Sequence, residues 1–180
     1  RRMAELAGTV CDAQAEQMLV LSTGIIGEFL PTAKIEKGIR DVAGKLGTND
    51  ASLTAAARGM LTTDTRHKTS MRTIHVAGTK VTVTGMAKGA AMIGPKMATM
   101  LAVVMTDAAL MPADAQSLLA DVVDETFNCI SVDGHMSTND TVLLLANGAV
   151  SSAPLAGDDL SAFQAALFEV CQELAVAIPA

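Results

Sequence analysis

Four stretches gather small hydroxyl, carboxylate or lysine side chains, three of them with glycine, the residue types used in acyl and phosphoryl chemistry. The first, Leu21-Ser22-Thr23-Gly24-Ile25-Ile26-Gly27, reads as an apolar strand ending in a hydroxyl and a glycine. Its ordinary reading is a turn. Its chemical reading is a Thr23 hydroxyl and a Gly24 backbone amide converging on an anionic oxygen. The second, Leu61-Thr62-Thr63-Asp64-Thr65, gathers short hydrogen-bonding side chains directly after a helix, a pattern usual in caps and turns. The third, residues 86–101, is rich in glycine and holds Lys88 and Lys96. It lacks the GxxxxGK[ST] order, as does Gly44-Lys45-Leu46, so no phosphate loop is expected. Within it, Ala98-Thr99 places a β-branched hydroxyl immediately before a uniformly apolar run. The fourth, Asp133 to Thr141, has several oxygen donors but neither EF-hand spacing nor a distant Glu, so calcium is not expected. Its Asn139-Asp140-Thr141 matches a glycosylation sequon, which carries no weight without a secretion signal. His67, His75 and His135 form no HxxxH or HExxH, and no metal site is expected.

The elements that must position these stretches follow from periodicity. Pro31-Thr32 followed by Ile35, Ile39, Val42 and Leu46, with Gly47 beyond, predicts a capped amphipathic helix, and Asp50 opens an Ala-rich one to about Met60. Residues 72–76 and 79–85 alternate polar and apolar around Ala77-Gly78, a hairpin signal that turns Val81 and Val83 to the core. Met100 to Met105 reads as a strand buried on both faces. Asp114 to Phe127 puts Leu118, Leu119, Val122, Val123 and Phe127 on one helical face, and Val142 to Ala146 returns as a strand. A closing helix carries the stripe Leu160, Phe163, Leu167, Val170 and Leu174, with Asp158 or Asp159 as its expected N-cap. This mixture predicts an α/β (α+β) layered sandwich in which helices cover stacked, mixed β-sheets.

Composition narrows the function classes. The chain has 180 residues, 50% of them apolar, and a formal charge of −6. Four Phe and no Tyr or Trp leave little for base stacking, and the acidic balance little for phosphate neutralisation, so nucleic acid is not an expected partner. No apolar run approaches the roughly 20 residues that span a bilayer, so no membrane partner is expected. Cys11, Cys129 and Cys171 are odd in number and widely spaced, which fits a reducing cytoplasm. The 11 Met read as core filling.

Taken together, Ser22-Thr23-Gly24-Ile25-Ile26-Gly27, Thr62-Thr63-Asp64-Thr65, Lys88-Gly89 to Pro95, Met97-Ala98-Thr99-Met100-Leu101 and Ser137-Thr138-Asn139-Asp140-Thr141, in order, resemble the ornithine acetyltransferase family, the bifunctional glutamate N-acetyltransferases of arginine biosynthesis. The resemblance spans essentially the whole chain. It implies a self-processing, N-terminal-nucleophile-like architecture cut between Ala98 and Thr99. Residues 1–98 would then be the end of an α chain and 99–180 the start of a β chain, together one domain. Thr99 would be the nucleophile and a substrate-binding residue, Thr23 and Gly24 the oxyanion hole, and Thr62 and Lys88 substrate-binding residues, with the adjacent Thr63 leaving that register open by one. Acetyl would pass from N-acetylornithine to glutamate through Thr99. A free α-amino group, with an ordinary pKa of about 7.7 to 8.0, can take the hydroxyl proton within the same residue. No cofactor is implied, acetyl-CoA stays open as a second donor, and the assembly implied is an α2β2 heterotetramer in the cytoplasm.

The resemblance also implies that family members begin before residue 1 and continue past Ala180 into a segment with a substrate-binding Glu, so the chain reads as an internal part of such a protein. The Asp133–Thr141 loop receives no catalytic role. Two rival readings are a related self-processing amidohydrolase or aminopeptidase, with water as acceptor, and an uncleaved homologue that only binds.

Overall fold

The computed structural model describes residues 1–180 except 26, 77, 91, 92, 95, 96, 99, 136, 151 and 152, and for 94, 97 and 98 the backbone alone. The expected nucleophile, Thr99, thus lies outside the described residues, as does Ala77 of the hairpin turn. The chain divides into two compact units, Arg1–Ala55 and Ala56–Ala180. The expected junction at Ala98 and Thr99 falls inside the second.

In the first unit, α1 (Arg2–Cys11) ends where Asp12 turns into the left-handed region at φ 53°. A Cβ on Gly8 would sit 2.6 Å from the Ala13 carbonyl oxygen, so the close return of the chain requires glycine there. A 3₁₀ turn (Ala15–Gln17), α2 (Thr32–Ala43) and α3 (Asp50–Gly59) follow, the last running across the division. Arg2 meets Glu36 at 2.9 Å, joining α1 to α2. The expected stripe of α2 is only partly covered: Ile35 and Ile39 are half-buried, whereas Val42 and Leu46 are exposed. Proline 31 caps the helix without a side-chain bond. The strand expected to lead into Thr23 does not form, and residues 18–25 are irregular. A strand needs a ladder partner for its amides, and no strand exists among the described residues of this unit.

The second unit is built on a hairpin of β1 (Lys68–Val76) and β2 (Thr79–Lys88), whose pairing closes at Val76 and Thr79. Gly78, at φ 73°, supplies the left-handed turn residue that such a two-residue connection demands. The short β3 (Ile93–Gly94) and β4 (Met97–Ala98) pair with each other. Then β5 (Leu101–Thr106) joins β2 antiparallel, α4 (Pro112–Glu125) crosses over, and β6 (Thr141–Ala146) lies parallel to β5. The sheet order is β1-β2-β5-β6. A parallel pair requires such a crossover. Finally α5 (Gly157–Ala177) packs across β1 and β2 and against α4.

As expected, Val81 and Val83 are buried, and β5 buries Leu101 to Val104 on both of its faces. Phe163, Leu167, Val170 and Leu174 of α5 complete the core, with Leu118, Val122 and Phe127 beside them. The cap of α5 differs from expectation. Ala156 is the N-cap with no side-chain bond, and Asp158 and Asp159 lie in the first turn, where their charges still favour the positive end of the helix dipole. The architecture is mixed α/β, one sheet covered by helices. In place of stacked sheets, the second sheet among the described residues is the β3–β4 pair, since the remaining strands all join one sheet. Helix α5 is long and apolar enough to cross a membrane by length and composition. Its apolar stripe is buried on the sheet, the placement of a core helix.

Candidate functional site

Three of the stretches singled out by sequence meet at one end of the sheet in the second unit. The Leu61–Thr65 stretch lies after α3 and leads into β1. Lys88 is the last residue of β2, paired across the ladder with Leu101, which in turn pairs with Thr141 of β6. Lys88 is 2% exposed, and its ammonium donates to the Thr62 hydroxyl at 3.2 Å. Among the described residues no carboxylate lies in ion-pair range of it. Burial pulls its pKa below the ordinary lysine value, and the more distant charges of Asp64 and Asp140 push the other way. A buried cation bonded to a neutral hydroxyl is an incomplete arrangement, one that an anionic group would complete.

Asp64 fixes this pair in place. Its side chain is fully buried, and its Oδ1 accepts from Lys68 Nζ at 2.6 Å and from the Gly89 N–H at 2.7 Å. Burial opposes the ionised form, but the Lys68 and Gly89 bonds outweigh it and hold the carboxyl below its ordinary value. One carboxylate thereby ties the Thr62 loop, the start of β1 and the end of β2 together. Its Oδ2 is buried without a partner.

Among the described residues, Asp140 is the other one with a buried, unpartnered carboxylate oxygen. Its Oδ1 accepts from the Met100 N–H at 2.9 Å, and it lines, with Met100, Leu119 and Val142, a groove of about 300 Å³. Burial raises its pKa to about 6, against the bond from Met100 and the charge of Lys88. Sequence alone assigns a role to neither Asp64 nor Asp140. The signal was present in both: each is a lone carboxylate among hydroxyl and amide residues, in Thr62-Thr63-Asp64-Thr65 and Ser137-Thr138-Asn139-Asp140-Thr141.

Thr62 therefore, rather than Thr63, bonds Lys88. Thr23 and Gly24 belong to the first unit, Thr23 half-buried and Gly24 exposed, in the irregular segment before a turn in which the Glu28 N–H donates to the Ile25 carbonyl at 3.2 Å. Ala98 ends β4. All three cysteines are free, and burial pushes the Cys171 thiol up to about 12. No cluster of three or more metal-ligating side chains occurs among the described residues.

The profile of the ArgJ family matches residues 1–180. The chain belongs to the ArgJ family. ArgJ relatives include the arginine biosynthesis bifunctional protein ArgJ of Rhodopirellula baltica, 42% identical over 97% of this chain and 43% of that protein. The bifunctional ArgJ protein of Nitratidesulfovibrio vulgaris is 45% identical over 97% of this chain and 44% of its own length. The glutamate N-acetyltransferase of Methanopyrus kandleri is 43% identical over 97% and 44%. The chain spans less than half the length of these ArgJ relatives. The family is the one that the five motifs resemble. A mitochondrial ArgJ protein of Aspergillus oryzae, 46% identical over 91% of this chain and 38% of its own, places one relative in an organelle. Among solved structures, the PH0078 protein of Pyrococcus horikoshii overlays with a TM-score of 0.41 at 13% identity, covering 63% of this chain and 38% of that one.

Proposed function

We propose that the protein containing this chain transfers an acetyl group from N-acetylornithine to glutamate through an ester on Thr99, after cutting itself between Ala98 and Thr99. The observation that carries this reading within the ArgJ family is the buried Lys88 ammonium bonded to Thr62 and lacking a carboxylate partner among the described residues. Both substrates bear an α-carboxylate, so one fixed cation serves donor and acceptor in turn.

In self-cleavage the Thr99 oxygen attacks the Ala98 carbonyl carbon, the C–N bond breaks, and the hydroxyl proton passes to the freed amine. Water then hydrolyses the resulting ester. The new α-amine becomes the base for the next stage. It takes the Thr99 hydroxyl proton as the oxygen attacks the acetyl carbonyl, and returns it to the departing ornithine amine. Glutamate's amine reverses the sequence and leaves acetylated. The Thr23 hydroxyl and the Gly24 N–H are assigned to the oxyanion of each tetrahedral intermediate, in an N-terminal-nucleophile-like fold. The reading includes an α2β2 assembly in the cytoplasm and requires no cofactor.

The test is an intact-mass spectrum of the full-length parent beside its Thr99→Ala variant. The expected result is two pieces meeting at Ala98 and Thr99 in the parent, one uncut chain in the variant, and glutamate-dependent acetyl transfer in the parent alone. An uncut parent overturns the proposal, and release of free acetate without glutamate makes the protein a hydrolase. Acetyl-CoA in place of N-acetylornithine separates a bifunctional from a monofunctional enzyme.

A further inference from the structure

The segment from Ile93 to Met100 contains the Ala98-Thr99 bond, and its two ends are gripped in the same manner. At the first, the Ile93 N–H donates to Asp133 Oδ1 at 2.9 Å, and the Ile93 carbonyl accepts from the Val132 and Asp133 N–H groups at 2.8 and 3.2 Å. At the second, the Met100 N–H donates to Asp140 Oδ1 at 2.9 Å, and the Met100 carbonyl accepts from the Thr141 N–H at 3.1 Å. The spacing between the gripped residues equals that between the two aspartates. Each grip lies where strand pairing runs out, since β3 begins at Ile93 and β5 begins only at Leu101. Ile93 and Met100 are both buried, so their amides would otherwise lack partners.

We propose that the loop Val132–Thr141 is a splint for self-cleavage, in which Asp133 and Asp140 are positioning residues that hold the two ends of the segment while Thr99 attacks the Ala98 carbonyl. This rests on the reading of Thr99 as the residue that cuts. The cut gives the aspartates different tasks. Both stay on the piece that starts at Thr99. Asp140 grips that same piece one residue from its new terminus, and so keeps the nucleophile's backbone in place through turnover. Asp133 grips Ile93, now on the other piece, and becomes a clasp between the two.

The experiment uses the full-length parent made by cell-free translation, timing the conversion of precursor to pieces by intact mass, with Thr99→Ala as the uncut control. Asp133→Ala and Asp140→Ala are each expected to slow conversion about tenfold or more, while the Asn variants, which keep the acceptor oxygen, stay within about threefold of the parent. On fully cleaved material, Asp140→Ala should lower kcat with KM for both substrates unchanged, and Asp133→Ala should leave kcat near the parent's. If the Ala variants precipitate, Asp→Glu variants, which keep the charge but displace the acceptor, are expected to show the same slowing. Conversion of the Ala or Glu variants at the parental rate, in a parent that does cut, overturns the splint alone. Asn variants as slow as Ala overturn it too, because the charge rather than the acceptor would be at work. A raised KM at unchanged kcat in Asp140→Ala makes Asp140 a substrate contact and not a positioning residue. An uncut parent overturns the splint together with the reading of Thr99.

Discussion

Lys88 is unfavourable for folding where it sits, and the proposed function gives it a use in binding. Its ammonium is removed from water and bonded to one hydroxyl, which disfavours the charged form. Lys88→Met keeps the length and removes the charge. In the full-length protein it should raise KM for the two proposed carboxylate substrates by about tenfold or more, while leaving thermal stability equal or higher. Parallel steady-state kinetics and thermal melts check this, and a large loss of Tm would make Lys88 a structural residue instead. Asp140 offers a pH signature. Its folded pKa of about 6 exceeds the ordinary 3.8, so above pH 6 the folded protein carries a carboxylate that the unfolded chain solvates better. As pH falls from about 6 towards 3.8, the folded protein takes up the proton first and that penalty disappears. The Tm of Asp140→Asn relative to the parent should therefore be highest above about pH 7 and decline on acidification to about pH 4.5. A difference that stays constant with pH would remove Asp140 as its source.

At the scale of elements, the contact between β2 and α5 depends on an absent side chain. A Cβ on Gly85 would meet Leu174 Cδ1 at 2.7 Å and Val170 Cγ1 at 2.8 Å, both from the buried stripe of α5. Beside it Arg72 of β1 pairs with Glu169 at 2.7 Å and with Glu173, and Ser70 donates to Glu173 at 2.6 Å, so the helix is held at its edge as well. Little room exists for it to retreat. Gly85→Ala is expected to cost about 1–3 kcal/mol by overpacking and to lower the Tm. An unchanged Tm would mean that α5 slides without penalty. The same face carries the buried small residues Ala87 and Ala102.

Across the whole molecule the two units differ in how much apolar surface they bury. The second has a continuous core from Val76 to Ile178. Among the described residues of the first, Leu6 is the large apolar side chain that is buried, while Leu19, Ile25, Phe29 and Leu46 are exposed, Phe29 completely. Segments with few buried contacts open at low cost and are cut first by proteases. Limited proteolysis of the 180-residue chain should cleave around Leu19–Ile25 well before β5 or α5, as read by mass spectrometry of the first fragments. Early cuts within residues 101–106 or 163–174 would contradict this ordering.

The sequence by itself determined the hairpin at Gly78, the doubly buried β5, the stripe of α5 and the family, because each is written in residues that are neighbours along the chain or along one element. The family resemblance singled out Lys88 and Thr62 separately, and the bond between them came only from the structure. Sequence alone misjudged the segment before Thr23, since a strand exists only if another strand accepts its amides, and it misplaced the cap of α5 by choosing the acidic residues over Ala156. Only the tertiary structure brought Asp64 to Gly89 and the aspartates 133 and 140 to Ile93 and Met100. Those bonds join a side chain to a backbone amide in a distant part of the chain, and a backbone amide has no residue type from which its partner could be read.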